Sequence, residues 1–93
     1  MIVSISSCNV PLTEDIDHLA CDALRNHLDT MAEEVLSVDV FLNNVDAAKQ
    51  AVFRAHLCDS REITVETVEE SVAVAIRRGS EQVREAVCES VTN

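Results

Sequence analysis

Aromatic side chains are nearly missing from this chain: Phe41 and Phe53 are the only two, with no Trp and no Tyr. An apolar core must therefore be assembled from Val, Leu, Ile and Ala. Glycine and proline occur once each, as Gly79 and Pro11, which excludes Gly-rich phosphate loops and low-complexity linkers and suits a globular chain. Basic residues are scarce, 7 against 17 acidic ones, for a net charge of −10. Nonspecific nucleic-acid affinity comes mainly from Lys and Arg displacing counterions, so charge alone points to a protein partner or an acidic regulator. No run approaches the ~20 apolar residues of a membrane span. The start, Met1-Ile2-Val3-Ser4, has no basic segment followed by an apolar one, so no export signal is expected. Cys8, Cys21, Cys58 and Cys88 form no CxxC pair, and a cytoplasmic protein with reduced thiols is the expectation.

What is present is periodicity. Val3 and Ile5 alternate with Ser4 and Ser6, as in a strand with one buried side. Pro11 turns the chain, and Thr13 caps a helix whose first turn carries Glu14 and Asp15. Ile16, Leu19, Ala20, Ala23, Leu24, Leu28 and Met31 then recur at helical spacing. Leu36, Val38, Val40 and Leu42 give a second strand, followed by a polar connection from Asn43 to Asp46. Ala51, Phe53, Ala55 and Leu57 give a third strand, Asp59-Ser60 a tight turn, and Ile63 with Val65 a short fourth. Thr67-Val68-Glu69-Glu70 matches a capping box, predicting a second helix that buries Val68, Val72, Ile76, Val83 and Val87. Gly79 on that face would let the helix approach its neighbours closely.

The expected fold is α/β in composition and α+β in layout: β-α-β-β-β-α over residues 1–93 as one domain. The β-α-β unit should pair its strands in parallel, and the later strands should form an antiparallel meander. Both helices share one face of a four-stranded mixed sheet, with Leu24, Leu28, Val72, Ile76 and Val83 in the core. Ser4, Asp39, Phe41, Arg54, His56, Thr64 and Glu66 occupy the other face.

This order, with two passages, resembles the ribosome hibernation-promoting factors, also called ribosome-associated inhibitors or subunit-interface proteins. The first passage is Ile5 to Glu14, ISSCNVPLTE; the second runs from Glu62-Ile63-Thr64-Val65-Glu66-Thr67 into Val72-Ala73-Val74-Ala75-Ile76. The likeness spans nearly the whole chain. It implies a stress-related translation regulator that sits on the small ribosomal subunit, where transfer and messenger RNA would bind. Family contacts use Lys and Arg along both helices. Here Asp17, Ala23 and Asn26 fall near such places on the first helix, leaving Arg25; the second helix has Val72-Ala73 where an aromatic is usual and lacks the terminal basic run. The longer family members add a C-terminal dimerisation domain, for which these 93 residues leave no room. Carried over, the candidate ribosomal-RNA contacts are Arg25, Lys49, Arg54, Arg61, Arg77, Arg78 and Arg84, implying weak binding. The densest group is Arg77-Arg78 with Arg84, which Lys49, Arg54 and Arg61 would join at the strand end. The alternative is an acidic protein–protein interaction module that keeps the fold without binding ribosomes.

No nucleophile elbow or recognisable acid pair is present, so no enzyme activity is expected. His18 with Cys21 and His56 with Cys58 are metal-ligand types, but on separate faces, so no metal or other cofactor is expected. Asp15, Asp17, Asp22 and Asp29 lack EF-hand spacing and read as a solvated helix face. Cys88 reads as a small hydrophobe in the last helical turns.

Overall fold

The computed structural model describes residues 1–92, with side chains through Ser90. Its elements are β1 (Ile2–Ser7), α1 (Glu14–Leu28), a 3-10 turn (Asp29–Met31), β2 (Val35–Val45), β3 (Ala48–Leu57), β4 (Glu62–Glu69) and α2 (Val72–Thr92). The sheet order is β1-β2-β3-β4, with β1 parallel to β2 and the other pairs antiparallel. This is the expected β-α-β-β-β-α mixed sheet. Among the described residues no helix is long and apolar enough to cross a membrane.

Val38, Val40 and Leu42 of β2 and Ala51, Phe53, Ala55 and Leu57 of β3 are all buried, meeting Ala20, Leu24 and Leu28 of α1 and Ile76, Val83 and Val87 of α2. Of the five expected core residues, Val72 is only half-buried, at the start of its helix. Thr13 caps α1 as read from the sequence, its Oγ1 accepting the Ile16 N–H at 3.2 Å. Gly79 is where the helix layer touches the sheet: a Cβ there would lie 1.9 Å from Phe53 Cε1. The large ring at the centre of an otherwise small-residue core therefore requires a bare backbone above it.

Four expectations need correction. The capping box does not form. Thr67-Val68-Glu69 remains strand because β3 reaches back to Ala48 and offers Ala51, Gln50 and Lys49 as ladder partners. Pairing outweighs a local capping preference worth about 1 kcal/mol. Thr67 is buried and donates its hydroxyl to Ala75 O at 2.8 Å, while Val68 turns outward and is 50% exposed. Ser71 caps α2 instead, its Oγ accepting the Val74 N–H at 3.2 Å.

The polar connection is also shorter than expected. Asn43, Asn44 and Val45 continue β2 and pair with Gln50, Lys49 and Ala48, leaving Asp46-Ala47 as the turn. Asp46 takes a left-handed φ of 56°, which Asp tolerates better than most residues. Third, a register shift between Val35 and Ser37 breaks the alternation, so Val35 is buried and Leu36 is 56% exposed. The first helix likewise stops at Leu28, and Met31 reaches the core from the 3-10 turn.

Candidate functional site

The sheet has a covered face and an open one, and the seven candidate cations are divided among four regions. Lys49 begins β3 opposite Asn44 on one side and Glu69 on the other, and its ammonium donates to Asn44 Oδ1. Glu69 also accepts Arg78, 3.4 Å away, so Lys49 and Arg78 share the hairpin end of the sheet. Arg61 lies past the opposite end of β3. It pairs with Asp59 at 2.6 Å and donates to Ser90 O, tying the β3–β4 turn to the end of α2. Arg54 projects from mid-β3 onto the open face and pairs with Glu62 at 3.2 Å.

Three arginines remain. Among the described residues Arg25, Arg77 and Arg84 have no carboxylate within ion-pair distance, and all three are exposed on the helix layer. Arg77 and Arg84 are seven residues apart on α2, nearly two turns, and so occupy one stripe separated by about 10 Å along the axis. Arg25 lies in the last turn of α1. Arg54, Arg61 and Lys49 do not gather with the α2 arginines at one end: Lys49 shares the hairpin end with Arg78, Arg54 stands mid-strand, and Arg61 lies beyond the far end of β3.

The open face holds an arrangement that the sequence did not disclose. His56 lies between two carboxylates, Nε2 3.2 Å from Asp39 Oδ2 and Nδ1 3.5 Å from Glu62 Oε2. With Arg54 on Glu62, the chain Asp39–His56–Glu62–Arg54 crosses three strands. Only the register Asp39↔Arg54 and His56↔Glu62 brings these residues together, and no local motif encodes it. Beside it, a shallow cleft of about 430 Å³ surrounds Phe41, with Val52, Asp39, Arg54, Ser4 and Ser6 along it.

Asp59 accepts the Arg61 N–H at 3.1 Å, which, with the guanidinium beside it, holds its carboxyl below the usual carboxylate range. Burial, helped by Asp17, pushes the Cys21 thiol up. Cys58 donates to Glu33 O at 2.9 Å, and Cys88 Sγ lies 3.4 Å from Met31 Sδ. His18 belongs to α1 on the covered face and His56 to the open face, so the two His/Cys pairs lie on opposite sides of the sheet.

End to end, this backbone superposes on a ribosomal subunit interface protein from Coxiella burnetii with a TM-score of 0.91, covering 100% of both chains at 9% identity. The chain has the fold of the ribosomal subunit interface proteins. It also matches the N-terminal domain of Protein Y from Thermus thermophilus, with a TM-score of 0.82 at 18% identity, covering 94% of this chain and 96% of that one. No protein-family model and no curated protein matches the sequence.

Proposed function

We propose that this chain is a ribosome-associated, non-enzymatic regulator of translation, a hibernation-factor relative acting at the small ribosomal subunit in the cytoplasm. The observation that supports it is the superposition on a ribosomal subunit interface protein over the whole length of both chains. At 9% identity no contact residue is carried over from that protein, and the contact is argued from this chain's own charges.

Arg77 and Arg84 on α2, with Arg25 on α1, are the cations that could meet phosphate oxygens without first leaving a carboxylate. Arg78 would have to leave Glu69, and Arg54 and Arg61 would have to leave Glu62 and Asp59. Lys49 would leave Asn44. Two or three phosphate contacts against a net charge of −10 give weak binding with a shallow salt dependence. The test is co-sedimentation with ribosomes for the wild type and for R77E/R84E. Association that the double charge reversal abolishes supports this reading, and tight association that survives it places the binding face elsewhere.

A second reading is favoured by the charge itself: a protein–protein module that has exchanged a basic ribosome face for an acidic one. Absence of co-sedimentation at low salt, with binding to a basic protein partner, would replace the first reading with this one.

A further inference from the structure

The two edges of the sheet differ sharply. β4 carries Glu62, Glu66 and Glu69 along its length, and α2 packs against it. Charges on an edge strand oppose pairing with a second chain. β1 carries none: Ile2-Val3-Ser4-Ile5-Ser6-Ser7 is uncharged and contains no proline. Cys8 donates its N–H toward β2, to Leu42 O at 3.1 Å. Backbone direction alternates along a strand, so Ser6 and Ser4 also face β2, and Val3 and Ile5 direct N–H and C=O outward. Among the described residues no hydrogen bond reaches Val3 or Ile5 from outside the β1–β2 ladder.

The same strand is one wall of the cleft on the open face, where Ser4 and Ser6 line it together with Asp39, Phe41 and Arg54. Register sets Ser4 beside Asp39 and Ser6 beside Phe41, so two short hydroxyl side chains are all that separates the edge from a carboxylate and an aromatic ring. Phe41, one of only two aromatic residues in the chain, is 41% exposed there. Asp39 meets His56 through Oδ2, and among the described residues nothing meets its Oδ1. Arg54, opposite Asp39 on β3, is held 3.2 Å from Glu62. A ring face beside a carboxylate oxygen is what holds a guanidinium or an ammonium, by cation–π attraction and a charge-assisted hydrogen bond.

Charge selects the occupant. The chain carries a net −10. On the open face the exposed carboxylates of Asp39, Glu62 and Glu66 stand against one arginine, Arg54. On the other face α1, the helix packed against β1, exposes Glu14, Asp15, Asp17 and Asp22 against Arg25. An acidic strand, a second copy of this chain and a phosphate backbone are all repelled from such an edge, and a cationic segment is drawn to it.

We propose that β1 and the Phe41–Asp39 cleft together form a docking site for an extended basic segment of a partner protein, one in which Lys or Arg alternates with apolar residues. The segment adds antiparallel to β1, the more stable sense of pairing. Its apolar residues lie opposite Val3 and Ile5, exchange backbone hydrogen bonds with them, and cover their exposed halves on the helix face. Its basic residues then fall opposite Ser4 and Ser6 on the open face. From there β2 is two strand spacings away, about 10 Å, a gap that a Lys or Arg side chain and the facing side chain of β2 close between them. The cation beside Ser4 donates to Asp39 Oδ1, and the one beside Ser6 lies over the Phe41 ring. The inference rests on the protein-module reading above and gives it a site and a partner chemistry.

The test is fluorescence anisotropy of the purified chain with a short labelled peptide of alternating Arg and Val. The wild type should bind it, more weakly as salt rises from about 0.15 M to about 1 M, and should bind neither a Glu/Val peptide nor a poly(U) oligonucleotide. F41A and D39N alter exposed side chains, so each should keep the circular dichroism of the wild type and weaken binding about two- to fivefold. N-methylation of the Val amides removes the donors to β1 and should abolish binding, whereas N-methylation of the Arg amides, which point away from it, should not. An Arg/Val peptide that fails to bind overturns the inference, as does poly(U) binding that F41A and D39N weaken. Peptide binding that is indifferent to both variants, or to which amides are methylated, overturns this site and leaves the acidic-module reading standing.

Discussion

Replacing Gly79 by alanine sets two effects of opposite sign against each other. In an exposed helix interior the change gains about 1 kcal/mol, because glycine loses more backbone freedom and leaves more backbone exposed. Here the added methyl would stand 1.9, 2.5 and 2.7 Å from Cε1, Cζ and Cδ1 of Phe53. All three are well inside van der Waals contact, and Phe53 is fully buried among close-packed neighbours, so the ring cannot swing into solvent. Either the ring leaves its rotamer or α2 lifts from β3, and overpacking of this kind typically costs 1–3 kcal/mol. Set against the gain of about 1 kcal/mol, this leaves a net loss of about 0–2 kcal/mol, lowering Tm by up to roughly 16 °C for a domain of this size. Urea unfolding with an unchanged m-value reads it directly. Phe53→Leu makes room, so the double variant should be more stable than the sum of the two changes, with a coupling of about 0.5–3 kcal/mol. Gly79→Ala stabilising the protein by about 1 kcal/mol would refute the close approach of helix and sheet.

Other perturbations separate further parts of the account. Ile76→Ala removes a fully buried side chain and should destabilise by roughly 2–5 kcal/mol in denaturant; a change near zero would mean that the buried face of α2 is misassigned. Ser71→Ala should cost about 1 kcal/mol as the loss of an N-cap, whereas Glu70→Ala, the reciprocal member of the capping box that does not form, should be near neutral. The Asp59 carboxyl, held low by the Arg61 N–H and guanidinium, should titrate by NMR below the normal carboxylate range. Its contribution to stability is then present above its unfolded pKa and lost as pH falls through the lower folded one, and R61A should return the titration toward normal. Elemental analysis should find no stoichiometric zinc, and a chelator should leave Tm unchanged; one equivalent of bound zinc would contradict this.

The core positions of β2, β3, α1 and α2 were legible because each element buries one side and the sequence repeats at the matching period. Ala51-Phe53-Ala55-Leu57 is the clearest case, with every second residue buried and no intervening residue fully so. Local signals failed where a partner strand intervened. Thr67 has the chemistry of an N-cap, yet it spends its hydroxyl on Ala75 O because β3 holds its backbone extended. Leu36 belongs to the apolar alternation by sequence, and a register shift one residue away turns it outward. The candidate cations could be enumerated but not sorted, since pairing depends on register: Arg54 meets Glu62 across a strand pair and Arg78 meets Glu69 across a loop. The Asp39–His56–Glu62–Arg54 chain was hidden for the same reason.

The claim that the interface-protein fold here serves ribosome association is tested most directly by co-sedimentation of the purified chain with ribosomes across a salt series. The account predicts weak association at low salt, a log–log slope of only about −2 to −3 for two or three phosphate contacts, and its loss in R77E/R84E. No co-sedimentation even at the lowest salt with stationary-phase ribosomes would contradict direct binding, and a steep slope would contradict the assignment to so few arginines.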